Sequence, residues 1–180
     1  MVQFDELFGE KNLVKILKFF LRNPSTEISY TELRKKAKTA KATLTKWLSI
    51  LLKDGLIEVK RVGVTKLYRL NRGNPINAQL KILDNIISLA RITDIGKRHN
   101  VKIYLYGSAA RGEDDEESDI DILIIGKIKK EQIINEINEI SGSMGRSIKI
   151  AVFTPLEWSR AARNDKPFYE RVEKDKKELA

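Results

Sequence analysis

The chain has no cysteine, a single histidine and no long apolar run. Without cysteine there is no disulfide framework and no thiolate metal site. Without about 18 consecutive apolar residues, nothing is long enough to span a membrane as a helix. Met1 to Glu10 is acidic and lacks the apolar stretch of a signal peptide. A cytoplasmic protein is the expectation. The lone His99 falls at a predicted helix end, where a structural role is expected rather than a catalytic one.

What is present is 180 residues, 42% apolar and 33% charged, a globular composition with room for one ordinary domain or two small ones. The formal net charge is +9, and its placement is uneven. Residues 1–75 hold 16 Lys and Arg against 7 Asp and Glu, whereas residues 76–180 hold 18 against 18. The whole excess sits on the first 75 residues, the electrostatic footprint of a polyanion binder.

In that basic half, Leu13, Ile16, Leu17, Phe20 and Leu21 recur at helical spacing, predicting an amphipathic helix over residues 10–22 that Asn23-Pro24 ends. Thr31 is expected to cap a second helix running through Ala37. Thr39 or Thr43 opens a third, closed by Asp54-Gly55. On the third helix Leu44, Trp47, Leu48, Leu51 and Leu52 share one face, with Trp47 expected in the core. Ala42, Thr43, Lys46, Ser49 and Lys53 share the other. Ile50 lies near the outward face, packing on a neighbouring helix or on a dimer partner. Two β-rich runs, residues 56–60 and 66–70, flank the Gly-containing turn Arg61 to Thr65.

The order helix, helix, helix, β-hairpin is that of a winged helix-turn-helix. A helix face of small polar residues and lysine suits a major groove about 12 Å wide. Lys60, Arg61, Lys66 and Arg69 on the wing suit phosphates beside it. The stretch "LSILLKDGLIEVKRVGVTKLYRLN" resembles winged-helix regulators of the MarR/ArsR type over residues 8–75. The resemblance implies a double-stranded DNA partner, with Lys41, Thr43, Lys46, Ser49, Arg61 and Lys66 as the contacting residues.

Asn74-Pro75 opens a long helical pattern, Ile76, Leu80, Leu83, Ile86, Ile87, Ala90 and Ile95, read to about Asn100. Its broad apolar stripe pairs with its copy in a homodimer or packs on its own domains. Beyond it, strands are predicted over residues 101–106, 119–125 and 147–153. Helices are predicted over 128–140, 155–163 and 168–179. The fold class expected is α+β: a winged helix-turn-helix over residues 1–74, a connector helix over 75–100, and a small α/β domain with a mixed sheet over 101–180.

The chemistry-bearing stretch is "YGSAARGEDDEESDIDILIIG", Tyr106 to Gly126. Gly107-Ser108 follows one predicted strand and leads into a short helical turn over residues 109–112, where backbone N–H groups favour phosphate. Asp119 and Asp121 lie two apart on the next, so both carboxylates leave one face, a geometry suited to Mg²⁺. The acidic run Glu113 to Glu117 is expected to be a solvated loop.

This stretch resembles the DNA polymerase β-like nucleotidyltransferase superfamily, most closely its minimal nucleotidyltransferases, with Gly107-Ser108, Arg111 and Ser118-Asp119-Ile120-Asp121 matching the signature. The resemblance implies Asp119 and Asp121 as catalytic, Mg²⁺-binding residues. It also implies a nucleoside triphosphate on Gly107, Ser108 and Arg111, and an antitoxin-like role beside a helical HEPN-type partner protein. Active members carry a third carboxylate on a later strand. Here "RSIKIAVFT" has none, and Lys149 stands near that position, suited to a nucleotide phosphate but not, while charged, to accepting a proton. Two functions follow: a DNA-binding regulator whose transferase-like domain binds nucleotide with impaired catalysis, or a working Mg²⁺-dependent transferase that moves a nucleoside monophosphate to a protein or small-molecule hydroxyl and controls its own transcription.

Overall fold

The computed structural model describes residues 9–180, and the chain divides into two compact units, residues 1–84 and 85–180. The acidic segment at the start lies, up to residue 8, outside the described residues.

In the first unit α1 (Lys11–Arg22) buries Val14, Ile16, Leu17, Phe20 and Leu21, with Val14 taking the core place expected of Leu13. Asn23 ends it, donating its side-chain amide to the Phe19 carbonyl at 2.7 Å. The next helix, α2 (Tyr30–Ala37), is capped by Ser29 and not by Thr31. The Ser29 hydroxyl accepts from the Glu32 N–H at 3.3 Å, and the Glu32 carboxylate accepts the Ser29 N–H at 3.1 Å. The shift has a cause: Ile28–Ser29 forms a short strand, β1, so the chain is still extended at Ser29. Likewise α3 (Lys41–Lys53) starts after Ala40 without a side-chain cap. Thr39 is buried and donates to the Ala37 carbonyl, and Thr43 lies within the helix.

Leu44, Trp47, Leu48 and Leu51 face the core, which confirms the expected apolar face and the place of Trp47. β2 (Ile57–Val62) and β3 (Thr65–Leu70) pair antiparallel, and β1 joins β3 to give the order β1-β3-β2. Their turn is tighter than expected, only Gly63-Val64, and φ of +57° at Gly63 is a conformation glycine adopts without penalty.

Helix α4 (Pro75–Ser88) carries buried polar groups. Asn77 donates to the Leu56 and Asn71 carbonyls, and Lys81 to the Leu21 carbonyl at 2.8 Å. Asp84 pairs with Arg22 at 2.7 Å and Lys18 at 3.3 Å. The helix does not run unbroken to Asn100: it stops at Ser88, and α5 (Ala90–His99) restarts beyond the buried Leu89.

The second unit is built on a mixed sheet in the order β6-β5-β4-β7. β4 (Lys102–Tyr106) is antiparallel to β5 (Ile120–Ile125), and β6 (Ile148–Phe153) is parallel to β5. On one face Ile103, Leu105, Ile120, Ile122 and Ile124 pack against Ile92 and Ile95 of α5 and Ile137 and Ile140 of α7 (Ile134–Met144). A 3₁₀ turn over Lys130–Gln132 takes the first part of the helix expected there. On the other face Tyr104 and Leu123 pack against Trp158 and Ala161 of α8 (Pro155–Asn164) and Val172 of α9 (Lys166–Asp175). The last expected helix is shorter than the pattern implied. α9 ends at Asp175, and Lys177–Glu178 forms the edge strand β7 beside β4. Helices with a small antiparallel sheet, followed by a helix-covered mixed sheet, make up the α+β class expected.

Candidate functional site

Alternation along the strands delivers one polar row. Tyr106 on β4 is the register partner of Asp121 on β5, and Asp121 is the partner of Lys149 on β6. All three project to the face that carries the Trp158 cluster. After Tyr106 the chain turns at Gly107, with φ of +73°, into the short helix α6 (Gly107–Arg111). A Cβ at Gly107 would lie 2.6 Å from Oδ2 of Asp121, so the carboxylate closes directly over the glycine backbone. Glycine here answers two demands at once, a left-handed φ and space for a carboxylate.

Asp119 lies one residue before β5, not inside it as the sequence pattern implied. Its Oδ2 is 2.5 Å from the Lys149 ammonium. That contact and a hydrogen bond from Ser147 hold the Asp119 carboxyl below the ordinary carboxylate range. Lys149 is raised in turn by Asp119. Asp121 goes the opposite way. Burial lifts it and Asp119 adds to the lift, against the opposing fields of Lys149 and Arg171. Burial, then Asp121, raises Tyr106 as well. Two carboxylates close in sequence are thus pushed apart in acidity by their surroundings, an arrangement that favours functional sites.

The approach to this pair is fixed by a cluster the sequence reading missed. Asp114 is 2% exposed, not part of a solvated loop. Its carboxylate accepts from Arg146 at 2.8 Å and from the Asn85 amide at 3.2 Å. Arg146 also donates to the Ser118 carbonyl, at 2.8 Å and 3.3 Å. Ser118 itself donates to Asp115 at 2.7 Å. The loop therefore presents Asp119 from a fixed base. Nothing local in the sequence singles out Asp114 among four acidic neighbours; its burial depends on Arg146, 32 residues away.

Ser108 is half-buried in the first turn of α6. Arg111 directs its guanidinium to Glu113 at 2.7 Å and Asp175 at 2.8 Å. Arg171, unremarked in the sequence, stands over the Phe168 ring at 5.6 Å and acts on both Asp121 and Tyr106. Its only sequence signal is the three-residue spacing from Phe168, which puts both on one side of α9. A cavity of about 960 Å³ lies at the other end of β4 and β5, lined by Lys97, Val101, Lys102, Lys127 and Leu179, and it does not include the aspartates.

A family model for the nucleotidyltransferase domain, of the polymerase β superfamily, matches residues 89–178. The chain belongs to this nucleotidyltransferase family. No curated protein and no solved structure matches it. The family typically uses Mg²⁺. Among the described residues no group of three or more Asp, Glu, His or Cys side chains is placed to hold a metal. The two aspartates are accompanied by an ammonium, in register with one and bonded to the other. Because that ammonium already holds the Asp119 carboxylate and stands beside Asp121, the donor set does not fit a Mg²⁺ ion resident on both aspartates.

In the first unit Lys41, Lys46, Ser49, Arg61 and Lys66 are exposed and Thr43 is half-exposed. Lys46 lies over the Trp47 ring, 4.4 Å from its centroid. Of the four hairpin cations, Lys60 is bound by Glu27 at 3.5 Å and Arg69 by Glu58 at 2.9 Å. Arg61 and Lys66 face each other across the β2–β3 register, and no acidic partner is seen for either among the described residues.

Proposed function

We propose that this chain is a DNA-binding transcriptional regulator whose nucleotidyltransferase domain binds a nucleoside triphosphate and is poor at, or incapable of, transferring it. In this reading residues 1–74 are a winged helix-turn-helix, residues 75–100 a connector, and residues 101–180 the nucleotide-binding domain. The observation that carries the DNA reading is the Arg61–Lys66 pair. Like charges directly opposite on a hairpin cost stability, and a polyanion relieves that cost. The exposed Lys41, Thr43, Lys46 and Ser49 add a helix face fit for a groove.

Impaired catalysis is supported by Lys149. It stands near the strand position where the superfamily resemblance calls for a carboxylate, and it is bonded to Asp119. Loss of a general base alone costs about 10²–10⁴-fold in rate. The triphosphate would lie on Gly107, Ser108 and Lys149, with Arg111 contributing on release from Glu113 or Asp175. We further propose a cytoplasmic homodimer, because groove-reading modules commonly pair to match two-fold sites. Ile76, 55% exposed on the connector, supports a seam there.

The test is duplex-DNA binding as a function of salt. The expected result is affinity that falls steeply with salt and is lost in Lys46→Glu plus Arg61→Glu. Unchanged binding in the double variant would refute the DNA reading.

The family match and the intact Gly107-Ser108 and Asp119-x-Asp121 favour a second reading, an active antitoxin-like transferase with Mg²⁺ on the two aspartates and a HEPN-type partner. It requires metal-dependent pyrophosphate release that Asp119→Asn plus Asp121→Asn abolishes. Absence of turnover with every ribonucleoside triphosphate and a hydroxyl acceptor would remove it.

A further inference from the structure

We infer that Lys149 is the resident counter-ion of the Asp119–Asp121 pair, and that this site takes a nucleotide's phosphate chain without a divalent cation. The inference deepens the nucleotide-binding reading above and rests on it for the identity of the ligand. Its first support is geometric. The ammonium is 2.5 Å from Oδ2 of Asp119, and Lys149 is the register partner of Asp121 on the same sheet face. One cation thus stands beside both carboxylates, where a metal would otherwise balance them.

The second support is the charge of the whole site. Lys149 bonds Asp119 and pairs in register with Asp121, and the fields of Arg171 on Asp121 and of Arg146 on Asp119 add to it, so the two carboxylates are already met by cations. A divalent ion would add two positive charges to a cluster that needs none and would have to displace the ammonium from Asp119.

The third support is reach. The Lys149 side chain is 67% exposed although ion-paired, so a ligand can approach it from solvent. An ammonium has three N–H donors; with one given to Asp119, two remain for phosphate oxygens. Lysine is an established phosphate binder as a point charge. Tyr106, the register partner of Asp121, is half-buried edge to face against Phe168 at 6.0 Å.

The experiment uses the full chain and two titrations: Mn²⁺ alone, read by electron paramagnetic resonance, and each ribonucleoside triphosphate, read by calorimetry in excess chelator and in excess Mg²⁺. In the wild type the best-bound triphosphate is expected to differ by no more than about twofold between the two buffers, because no cation ligand is being completed. Lys149→Asp, which adds the missing carboxylate, is expected to bind Mn²⁺ at least about tenfold more tightly than the wild type and to make triphosphate binding cation-dependent. Lys149→Gln, which removes the ammonium without adding charge, gives a smaller gain in Mn²⁺ affinity and weakens triphosphate binding in chelator.

Wild-type triphosphate binding that drops about tenfold or more in chelator would overturn the inference, as would equal Mn²⁺ affinity in wild type and Lys149→Asp. The failure of the nucleotide reading looks different. No triphosphate would bind in either buffer, which ends the phosphate role of Lys149 with it, while the Mn²⁺ titration, needing no nucleotide, still scores the counter-ion role.

Discussion

Replacing Asp114 by alanine removes the carboxylate that Arg146 meets at 2.8 Å beneath the loop leading to Asp119. Asp114 is 2% exposed and the Arg146 side chain 18% exposed, so neither group can recover full hydration without local opening. Breaking a buried ion pair by deleting one partner costs about 3–5 kcal/mol. The residual exposure of Arg146, and its surviving bonds to the Ser118 carbonyl, argue for the lower end, about 3 kcal/mol. The Asn85 amide loses one acceptor but keeps the Ala109 carbonyl at 3.1 Å, so it adds no more than about 1 kcal/mol. For a chain of this length about 3 kcal/mol corresponds to roughly 6–12 °C in Tm. The assay is urea denaturation followed by far-UV circular dichroism, with thermal melting alongside. Asp114→Asn keeps one acceptor and is expected to lie between wild type and alanine. A loss below about 1 kcal/mol for Asp114→Ala would refute the reasoning, because it would show the pair to be hydrated and replaceable.

Other perturbations test other links. Gly107→Ala forces a side chain into a left-handed φ of +73° and against Asp121, and about 2 kcal/mol of stability should be lost together with triphosphate affinity, read by melting and calorimetry. Asp121→Asn should do the reverse for stability at neutral pH. Burial raises the Asp121 carboxyl above 3.8 in the folded chain, so its charged form is penalised there; any advantage of the native aspartate exists only at acid pH and is lost as pH rises through the folded value. The variant should therefore be the more stable protein at pH 7 and lose that lead as pH falls through the raised folded value to the ordinary carboxylate range, as unfolding at several pH values would show. Arg61→Ala should stabilise the hairpin by a few tenths of a kcal/mol, by relieving its apposition to Lys66, and should lower the salt slope of DNA binding by about one.

The sequence was most legible where periodicity and local turn chemistry agree. Ile16, Leu17, Phe20 and Leu21 of α1, the Leu44–Trp47–Leu48–Leu51 face of α3 and the alternation in β4 follow from spacing alone. Boundaries failed where a distant partner intervened. Ser29 rather than Thr31 caps α2 because β3 holds residues 28 and 29 extended. The chain leaves α9 at Asp175 because β4 offers an unpaired edge, which no local pattern records.

The site was legible as a motif and not as a charge arrangement. Gly107, Asp119, Asp121 and Lys149 were all visible as residues of interest. That Lys149 bonds Asp119, that Arg171 acts on Asp121, and that Asp114 is buried depend on residues 30 to 50 positions apart meeting across a sheet or beneath a loop.

Helix α4 bears on how the molecule can be dissected. Asp84 is locked to Lys18 and Arg22, while its neighbour Asn85 is bonded to Ala109 and Asp114. A truncation ending at Asn74 would strip the N-terminal unit of Asn77, Lys81 and Asp84, and with them the bond to the Leu21 carbonyl and the carboxylate that Lys18 and Arg22 share. A piece starting after Asn85 would lose the amide that braces Asp114. Any cut that spares both halves must duplicate this helix, so each isolated piece should carry residues 75–88 in full.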